Sequence, residues 1–263
     1  MKIAFIGGGT MGQALLRSLL ARGTAVSQDI VVSDLDAARR ELLSREYGVG
    51  TVTDNRKAVR GADLIILAVK PQDLPQVMVE IESPSPQQVV LSIAAGVSLS
   101  TLSQGLNCPC IVRAMPNMPA QIGEGMTVWT TSAGVSSKQK EMAQSVLAAL
   151  GREIYVPQEK YLDMATALSG SGPAYVFLFI EALIDAGVHI GMPRSMAEKL
   201  VLQTIIGSAH TAEKMGKHPA ELKDMVTSPG GTTAEALLQL EKGRFRSLLL
   251  EAVAAAYNKA KQL

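Results

Sequence analysis

The sequence predicts two domains: an N-terminal α/β domain with a doubly wound, mostly parallel sheet, and a C-terminal all-α domain. Short apolar runs alternate with helix-like segments up to about residue 158, and this alternation is typical of β-α-β units. Beyond that point helical patterns follow one another without a convincing strand. We therefore expect domains of residues 1–158 and 159–263, with the boundary in the polar stretch Pro157–Lys160.

Six short apolar runs are the candidate strands. Nearly all their residues are apolar, as expected for strands that helices cover on both faces. The predicted strands are Lys2–Ile6, Ile30–Ser33, Leu64–Val69, Val89–Ile93, Ile111–Ala114 and Thr127–Thr130. The predicted helices of the first domain are Met11–Ala21, Asp36–Tyr47, Pro71–Glu82 and Ser136–Leu150. Those of the second are Ala174–Gly187, Pro193–Met215, Pro219–Met225, Thr233–Leu240 and Phe245–Lys261.

Composition and charge exclude several classes of protein. Apolar residues make up 47% of the chain, which excludes a disordered protein, and the formal net charge is only +1. Since the sequence has no dense basic block, we expect no nucleic-acid partner. Cys108 and Cys110 form neither a redox motif nor a zinc pair, and their placement fits a reducing compartment. We expect a cytoplasmic protein, because three polar residues interrupt the longest apolar stretch, Ala174–Ile190, which is therefore not a membrane span.

The strongest local signal is the run Gly7-Gly8-Gly9-Thr10-Met11-Gly12, which follows a predicted strand and opens a predicted helix. That context is typical of a Rossmann dinucleotide-binding turn. Gly7 permits the tight turn, Gly9 lets a pyrophosphate approach the backbone, and Gly12 lets helix and strand pack closely. We predict that Gly7, Gly9, Thr10, Met11 and Gly12 bind a nicotinamide dinucleotide. The alternative is a glycine-rich turn without a ligand.

Asp34 ends the next predicted strand, 22 residues after Gly12. An acid at this distance usually holds the adenine ribose 2′-hydroxyl of NAD and would repel the 2′-phosphate of NADP. Ser33, Arg39 and Arg40 are close in sequence and would suit that phosphate if Asp34 pointed away. The choice between NADH and NADPH therefore stays open. So does the alternative that Asp34 merely caps the following helix.

Two further strand ends are expected at the cofactor crevice, because ligands of open α/β sheets bind beyond the carboxyl ends of the strands. The first is Ala68-Val69-Lys70-Pro71, where Pro71 suits the first position of a helix and Lys70 faces the crevice. The second is the turn Ala94-Ala95-Gly96, whose small side chains leave room for a ribose or the nicotinamide. A solvated lysine at a turn is the alternative for Lys70.

The predicted helical domain contains the loop Ser228-Pro229-Gly230-Gly231-Thr232-Thr233 immediately before a helix. Backbone N–H groups and hydroxyls at a helix N-terminus form a nest that suits a carboxylate. The alternative is an ordinary cap in which Thr232 or Thr233 satisfies the helix.

Two other patterns limit the chemistry. Glu181, Asp185 and His189 form one helical stripe, but no second cluster accompanies it, and we expect no metal. The same helix has no Lys or Arg between Gly172 and Gly191, whereas hydroxyacid dehydrogenases of similar layout commonly place a lysine base there. A reductase that acts on an already polarised C=N bond needs no such base.

The predicted helix Ala174–Ile184 is apolar on nearly all sides and must therefore be buried all round. A domain of about 100 residues offers few helices to cover it. Its neighbour, Leu200–Ile206, is also strongly apolar. We therefore expect a partner subunit to cover these helices.

Together these residues resemble the pyrroline-5-carboxylate reductases, and the resemblance covers essentially the whole chain. The matching segments are Phe5–Gly12, Ala68–Pro71, Ser92–Val97, Arg113–Asn117, Leu168–Tyr175, Leu222–Val226 and Ser228–Thr233. The resemblance implies an oxidoreductase that transfers a hydride from NAD(P)H to 1-pyrroline-5-carboxylate and forms L-proline, the last step of proline biosynthesis. It also implies a homodimer with interleaved helical domains, and dimers that join into larger rings such as a decamer.

The resemblance also assigns residues. Ser228, Gly230, Gly231, Thr232 and Thr233 would hold the substrate, with the Thr233 hydroxyl at the ring nitrogen. Asn55, Lys70 and Asn117 match cofactor-side positions. The family leans towards NADPH, but Asp34 stands where NADPH-preferring relatives tend to have a small or basic residue. The competing functions are a non-catalytic NAD(P)-binding sensor and a hydroxyacid or imine reductase with another substrate.

Overall fold

A computed structural model describes residues 1–81 and 83–262. Its sheet has eight strands in the order β3-β2-β1-β4-β5-β6-β7-β8, and all neighbours are parallel except β6 and β7. The strands are β1 (Ile3–Ile6), β2 (Ile30–Ser33), β3 (Gly50–Val52), β4 (Leu64–Leu67), β5 (Val89–Ser92), β6 (Ile111–Met115), β7 (Gly125–Thr131) and β8 (Gly151–Tyr155). The predicted doubly wound, mostly parallel sheet is therefore confirmed.

The strand order reverses at β1, and this reversal creates the main crevice. Ile3 of β1 lies opposite Ile30 of β2 on one side and Leu64 of β4 on the other. The connections that follow β1 and β4 therefore diverge at the carboxyl edge of the sheet. This is the topological switch point at which open α/β sheets bind ligands.

Helices from the same part of the chain cover both faces of the sheet. They are α1 (Thr10–Ala21), α2 (Ala37–Tyr47), α3 (Asn55–Val59), α4 (Leu74–Ile81), α5 (Leu99–Gly105), α6 (Ser137–Ala148) and α7 (Lys160–Ala165). One core packs Phe5 and Trp129 against Leu15 of α1, and the other packs Ile65 against Met78 of α4. Burial on both faces explains why the central strands are apolar at nearly every position.

All six predicted strands are confirmed, within one or two residues at their ends. The prediction missed β3 and β8, together with α3, α5 and α7. The predicted helix Pro71–Glu82 is a 3-10 turn, Pro71–Asp73, followed by α4, and Glu82 lies outside the described residues. Both missed strands lie at the edges of the sheet, where an apolar sequence is not required.

A buried arginine ties α7 to the sheet through two carboxylates. The guanidinium of Arg113 on β6 is only 6% exposed and lies 2.7 Å from Glu159 Oε1 and 3.1 Å from Asp163 Oδ1. Glu159 also accepts a hydrogen bond from the backbone N–H of Leu99. A π-helical turn, Thr166–Gly170, follows α7 directly. The three charged side chains therefore hold the segment that leads out of the sheet domain.

The chain divides into two compact units, Met1–Ser171 together with the C-terminal residues from Ala256 onwards, and Gly172–Ala255. The second unit is built from α8 (Gly172–His189), α9 (Arg194–Met215), α10 (Pro219–Met225) and α11 (Thr232–Lys242), together with most of α12 (Phe245–Ala260). The predicted helical character of this part is confirmed. The predicted boundary between residues 158 and 159 stays a prediction.

Helix α8 is exposed in the single chain, and none of its residues is buried. Phe177 is 51% exposed and Leu178 is 66% exposed. The helical stretch Lys160–His189 is long and apolar enough to cross a membrane, by length and composition only. It also carries Glu181 and Asp185. An apolar surface of this kind requires cover, and a second subunit would provide it.

Both cysteines are free and buried. Burial raises the pKa of the Cys108 thiol above its ordinary value, which disfavours the reactive thiolate. A buried free cysteine of this kind packs as a small apolar residue.

Candidate active site

In the glycine-rich turn after β1, backbone atoms leave little room for a side chain at Gly7 and at Gly12. Gly7 has a φ of +95°, and a Cβ there would lie 2.9 Å from the carbonyl oxygen of Ala68. A Cβ on Gly12 would lie 2.6 Å from the carbonyl oxygen of Gly7. At Gly9, by contrast, a Cβ would meet no atom of the described residues within 4 Å. Backbone atoms of the protein therefore fill the space beside Gly7 and Gly12, whereas the described residues leave the space beside Gly9 empty, and it can hold part of a ligand.

The carboxylate of Asp34 is held by two backbone donors. Gly8 N–H donates to Oδ2 at 2.7 Å, and Asp36 N–H donates to Oδ1 at 2.9 Å. The N-cap of α2 is Asp36, whose side chain accepts from the N–H groups of Ala38 and Arg39. The alternative that Asp34 caps this helix is therefore wrong. Its carboxylate is fixed at the glycine turn instead.

Both arginines near Asp34 have protein partners. Arg40 Nη1 donates to the backbone carbonyls of Asp34 and Leu35, at 2.7 and 2.9 Å. Arg39 Nη1 donates to Gln13 Oε1 at 3.1 Å. Arg39 is thus held on α1, whereas Arg40 is held on the two residues that follow β2.

A cleft of about 420 Å³ lies at the switch point between β1 and β4. Eight of the predicted cofactor residues line it: Gly7, Gly9, Ser33, Asp34, Asn55, Ala68, Val69 and Lys70. The remaining predicted cofactor residues are not part of its lining: Thr10, Met11, Gly12, Pro71, Ala95 and Asn117. Pro71 occupies the first position of the 3-10 turn, as predicted, and Lys70 precedes it.

The wall of the cleft that the 3-10 turn Pro71–Asp73 and α4 provide was not predicted. Gln72, Asp73, Gln76, Val77 and Glu80 line the cleft as well. Gln76 and Glu80 are one helical turn apart, so they lie on the same side of α4. That spacing was the available signal, but only the fold shows that this side of α4 faces the cleft.

Glu80 is bound by two side-chain amides. Asn55 Nδ2 donates to Oε2 at 2.6 Å, and Gln76 Nε2 donates to Oε1 at 2.8 Å. The backbone N–H of Asp34 donates to the carbonyl of Val52, three residues before Asn55. Asn55 and Glu80 therefore belong to the same end of the cleft as Asp34.

Asn117 uses its side-chain amide within the protein. Nδ2 donates to the carbonyl of Ser169 at 3.1 Å, and Oδ1 accepts from the N–H of Met126 at 2.9 Å. These bonds link the loop after β6 to the start of β7 and to the π-helical turn. A cofactor contact by Asn117 stays a prediction.

The loop before α11 has the geometry of a backbone nest. Gly230 has a φ of +67°, and Gly231 N–H donates to the carbonyl of Ser228 at 3.1 Å. Gly231 is the N-cap of α11, and none of the described side chains caps this helix. The alternative that Thr232 or Thr233 caps α11 is therefore wrong. The first N–H groups of an α-helix have no intrahelical partner, so those of α11 can bind an anion.

Within residues 1–81 and 83–262, no group of three or more His, Cys, Asp or Glu side chains could hold a metal ion. Asp185 of the polar stripe on α8 forms an ion pair with Arg194 instead.

Comparison with family models gives two matches. Residues 159–263 match the model described as pyrroline-5-carboxylate reductase dimerisation. Residues 2–96 match the model described as NADP oxidoreductase, coenzyme F420-dependent. The two matches fall on the predicted helical domain and on the glycine turn with the first five strands.

Relatives match over the whole chain. A pyrroline-5-carboxylate reductase of Synechocystis is 43% identical over 263 residues, covering 100% of this chain and 98% of its own length. One from Arabidopsis thaliana is 38% identical and covers 100% and 95%. The solved structure of Plasmodium falciparum pyrroline carboxylate reductase with NADP bound is 34% identical, with a TM-score of 0.91 and coverage of 100% and 97%.

Proposed function

Because this chain belongs to the pyrroline-5-carboxylate reductase family, we propose that it reduces 1-pyrroline-5-carboxylate to L-proline with NAD(P)H, the last step of proline biosynthesis. The observation that carries the proposal is the cleft at the switch point, which the open Gly9 and the fixed Asp34 line together. A dinucleotide fits there, because only a glycine lets the pyrophosphate come close to this backbone.

The reduced nicotinamide, when bound, supplies a hydride to the carbon of the C=N bond. The chain's part is to hold the two reactants. The N-terminus of α1 directs unpaired N–H groups and the positive end of the helix dipole towards the phosphates. Thr10 and Met11 open this helix, and Gly9 precedes it. Lys70 adds a positive charge to the cleft wall.

The nest before α11 binds the substrate carboxylate. Backbone N–H groups from Gly230 and Thr232 suit this anion, and the Gly231 N–H holds the loop in place by its hydrogen bond to the Ser228 carbonyl. The hydroxyl of Thr233, in the first turn of α11, donates a hydrogen bond to the ring nitrogen. The nitrogen takes up one proton from water and the carbon takes up the hydride, so the product is a neutral ring amine.

The absence of a lysine from the sequence of α8 agrees with this chemistry. The sequence from Gly172 to Gly191 contains no Lys or Arg. An alcohol dehydrogenation needs a base to remove the hydroxyl proton. Reduction of an imine needs a proton donor instead, and the substrate itself can arrive protonated.

The chain forms oligomers through its dimerisation region. The assembly that we propose is a homodimer in the cytoplasm, in which the helices of residues 159–263 cover each other's apolar faces, and such dimers join into a larger ring such as a decamer. In this proposal residues 1–158 bind the cofactor, and residues 159–263 bind the substrate and form the dimer. Support comes from α8, whose apolar side chains are exposed in the single chain.

The test is L-proline formation from 1-pyrroline-5-carboxylate, measured with NADH and with NADPH. Turnover with either cofactor supports the proposal. A protein that binds the cofactor but forms no proline, and turns over other cyclic imines or hydroxyacids, would be a reductase with another substrate. Binding without turnover of any of these would indicate the sensor function.

A further inference from the structure

The charge of the cleft is predominantly negative. Among the described residues, four ionisable side chains line it, and three of them are acidic: Asp34, Asp73 and Glu80, against the single cation Lys70. NADPH differs from NADH by a 2′-phosphate on the adenine ribose, which adds about two negative charges near neutral pH. The position of the acids relative to that ribose therefore decides which cofactor the cleft favours.

Asp34 lies at the place where Rossmann domains hold the adenine ribose, at the end of β2. Its two hydrogen bonds from Gly8 and Asp36 keep the carboxylate at the glycine turn, so it cannot swing aside for a phosphate without losing both. Each oxygen retains capacity for another donor, because a carboxylate has about four acceptor sites. A ribose 2′-hydroxyl can donate to it, whereas a phosphate can only repel it.

Glu80 adds a second negative charge at the same end. Its partner Asn55 is near Asp34 through the β2–β3 pairing, and both residues line the cleft. Asn55 is the predicted cofactor-binding residue whose side-chain amide lies at this end of the cleft. Its Nδ2 group already donates to Glu80, at 2.6 Å.

The two arginines that follow Asp34 in sequence already have hydrogen-bond partners in the protein. Arg40 is held on the backbone carbonyls of Asp34 and Leu35, and Arg39 on Gln13. Neither arginine lines the cleft. A 2′-phosphate would therefore meet two carboxylates in a cleft whose lining, among the described residues, includes no arginine.

From these contacts we infer that the cleft selects NADH over NADPH, and that Asp34 and Glu80 are the residues that set this preference. The inference rests on the proposed function only in taking the cleft as a nicotinamide dinucleotide site. Asp34 accepts the ribose hydroxyl and excludes the phosphate. Glu80 opposes the phosphate by its charge and occupies one of the two donors of the Asn55 amide.

The experiment titrates NADH and NADPH into the purified oligomer, with nicotinamide fluorescence as the readout of Kd. The wild type should bind NADH about tenfold or more tightly than NADPH, since one charged contact is worth about a factor of ten or more. Asp34→Ser should shift the ratio of the two Kd values towards NADPH by about 10–100-fold. Glu80→Gln should shift it by a smaller factor, about 2–10-fold, because only its charge is lost.

Asp73→Asn is the matched control, because it removes the same charge from the wall of the same cleft. It should change the ratio less than about twofold, since Asp73 lies in the turn that follows β4 and not at the end of β2. A shift as large as that of Asp34→Ser would mean that the cleft responds to its total charge, and the assignment to Asp34 and Glu80 would be wrong.

A wild type that binds NADPH more tightly overturns the inference without any variant. So does an Asp34→Ser ratio within about twofold of the wild type. If Asp34→Ser fails to fold, Asp34→Asn retains one acceptor for the backbone donors and tests the same charge. Preferred binding of NADH without any proline formation would refute the proposed function while leaving this inference intact.

Discussion

The side-chain Nδ2 of Asn117 donates a hydrogen bond to the backbone carbonyl of Ser169, 3.1 Å away and 52 residues further along the chain. The same side chain accepts from Met126 through Oδ1. One amide thus joins its own loop to the start of β7, nine residues later, and to the remote π-helical turn. Such a bond stabilises the folded state, because its loss leaves polar backbone groups without their partner.

Asn117→Ala should therefore lower the free energy of unfolding by about 1–3 kcal/mol, measured by urea denaturation. The affinity for NADH should stay within about twofold of the wild type if the amide acts only inside the protein. Lys70→Ala provides the opposite case, with weaker cofactor binding and unchanged stability, because Lys70 is an exposed residue of the cleft wall. A large loss of NADH affinity in Asn117→Ala, with unchanged stability, would make Asn117 a cofactor ligand.

The local sequence predicted those parts of the fold in which one short segment carries its own signal. The buried strands are apolar runs, and the glycine turn has its spacing and context. The edge strand β8 escaped prediction because it contains Arg152 and Glu153 and needs no apolar pattern. The mostly parallel sheet and the apolar helices were predictable because each rests on repeated, local patterns.

The parts of the site that escaped prediction depend on tertiary contacts. Nothing local to Glu80 indicates that Asn55, 25 residues earlier, binds its carboxylate. The same holds for Asn117 and Ser169. From the sequence, Asp34 could either contact the ribose or cap the next helix. The structure excludes the cap, because Asp36 is the N-cap of α2.

Gly9→Val should abolish cofactor binding and leave the fold intact. The backbone φ of −64° suits a valine, and a Cβ at this position meets no atom of the described chain within 4 Å. The added side chain would then occupy the space that the pyrophosphate needs. Calorimetric titration with NADH measures the loss, and circular dichroism checks the fold.

Gly7→Ala is the contrasting variant. Its left-handed backbone and the 2.9 Å approach to the Ala68 carbonyl predict a loss of stability of about 1–3 kcal/mol. Normal cofactor binding by Gly9→Val would show that this turn does not hold the pyrophosphate.

Thr233→Ala should lower kcat by roughly 10–1000-fold, the scale of one positioned donor. Stability should change little, because the Thr233 side chain does not cap α11. Thr232→Ala is the matched control, since it keeps the backbone N–H group that we assign to the nest, and its kcat should stay near the wild-type value. Full activity of Thr233→Ala would remove the hydroxyl from the site, and the nest would then act through its backbone alone.

Phe177→Glu should dissociate the oligomer and inactivate the protein. Phe177 is half exposed in the single chain and lies in the region that matches the dimerisation model. A carboxylate buried there against a second subunit would have no partner, which costs several kcal/mol. Analytical ultracentrifugation with an activity assay measures both effects, and Lys138→Glu on the exposed side of α6 is the control.

A wild-type chain that sediments as an active monomer of 27.8 kDa at low concentration would contradict the dimer. The exposed apolar side chains of α8 would then have no partner subunit to cover them.

The position of β1 in the strand order has a consequence for the growing chain. β1 is synthesised first, yet it lies between β2 and β4, and Ile3 pairs with Leu64, 61 residues later. At a synthesis rate of about 5–20 residues per second, the strand waits about 3–12 s for that neighbour. The other edge of β1 pairs with β2, but during this interval the edge of Ile3–Ile6 that faces β4 has no partner strand. Until β4 has emerged, that apolar edge is therefore a site at which the nascent chain can aggregate.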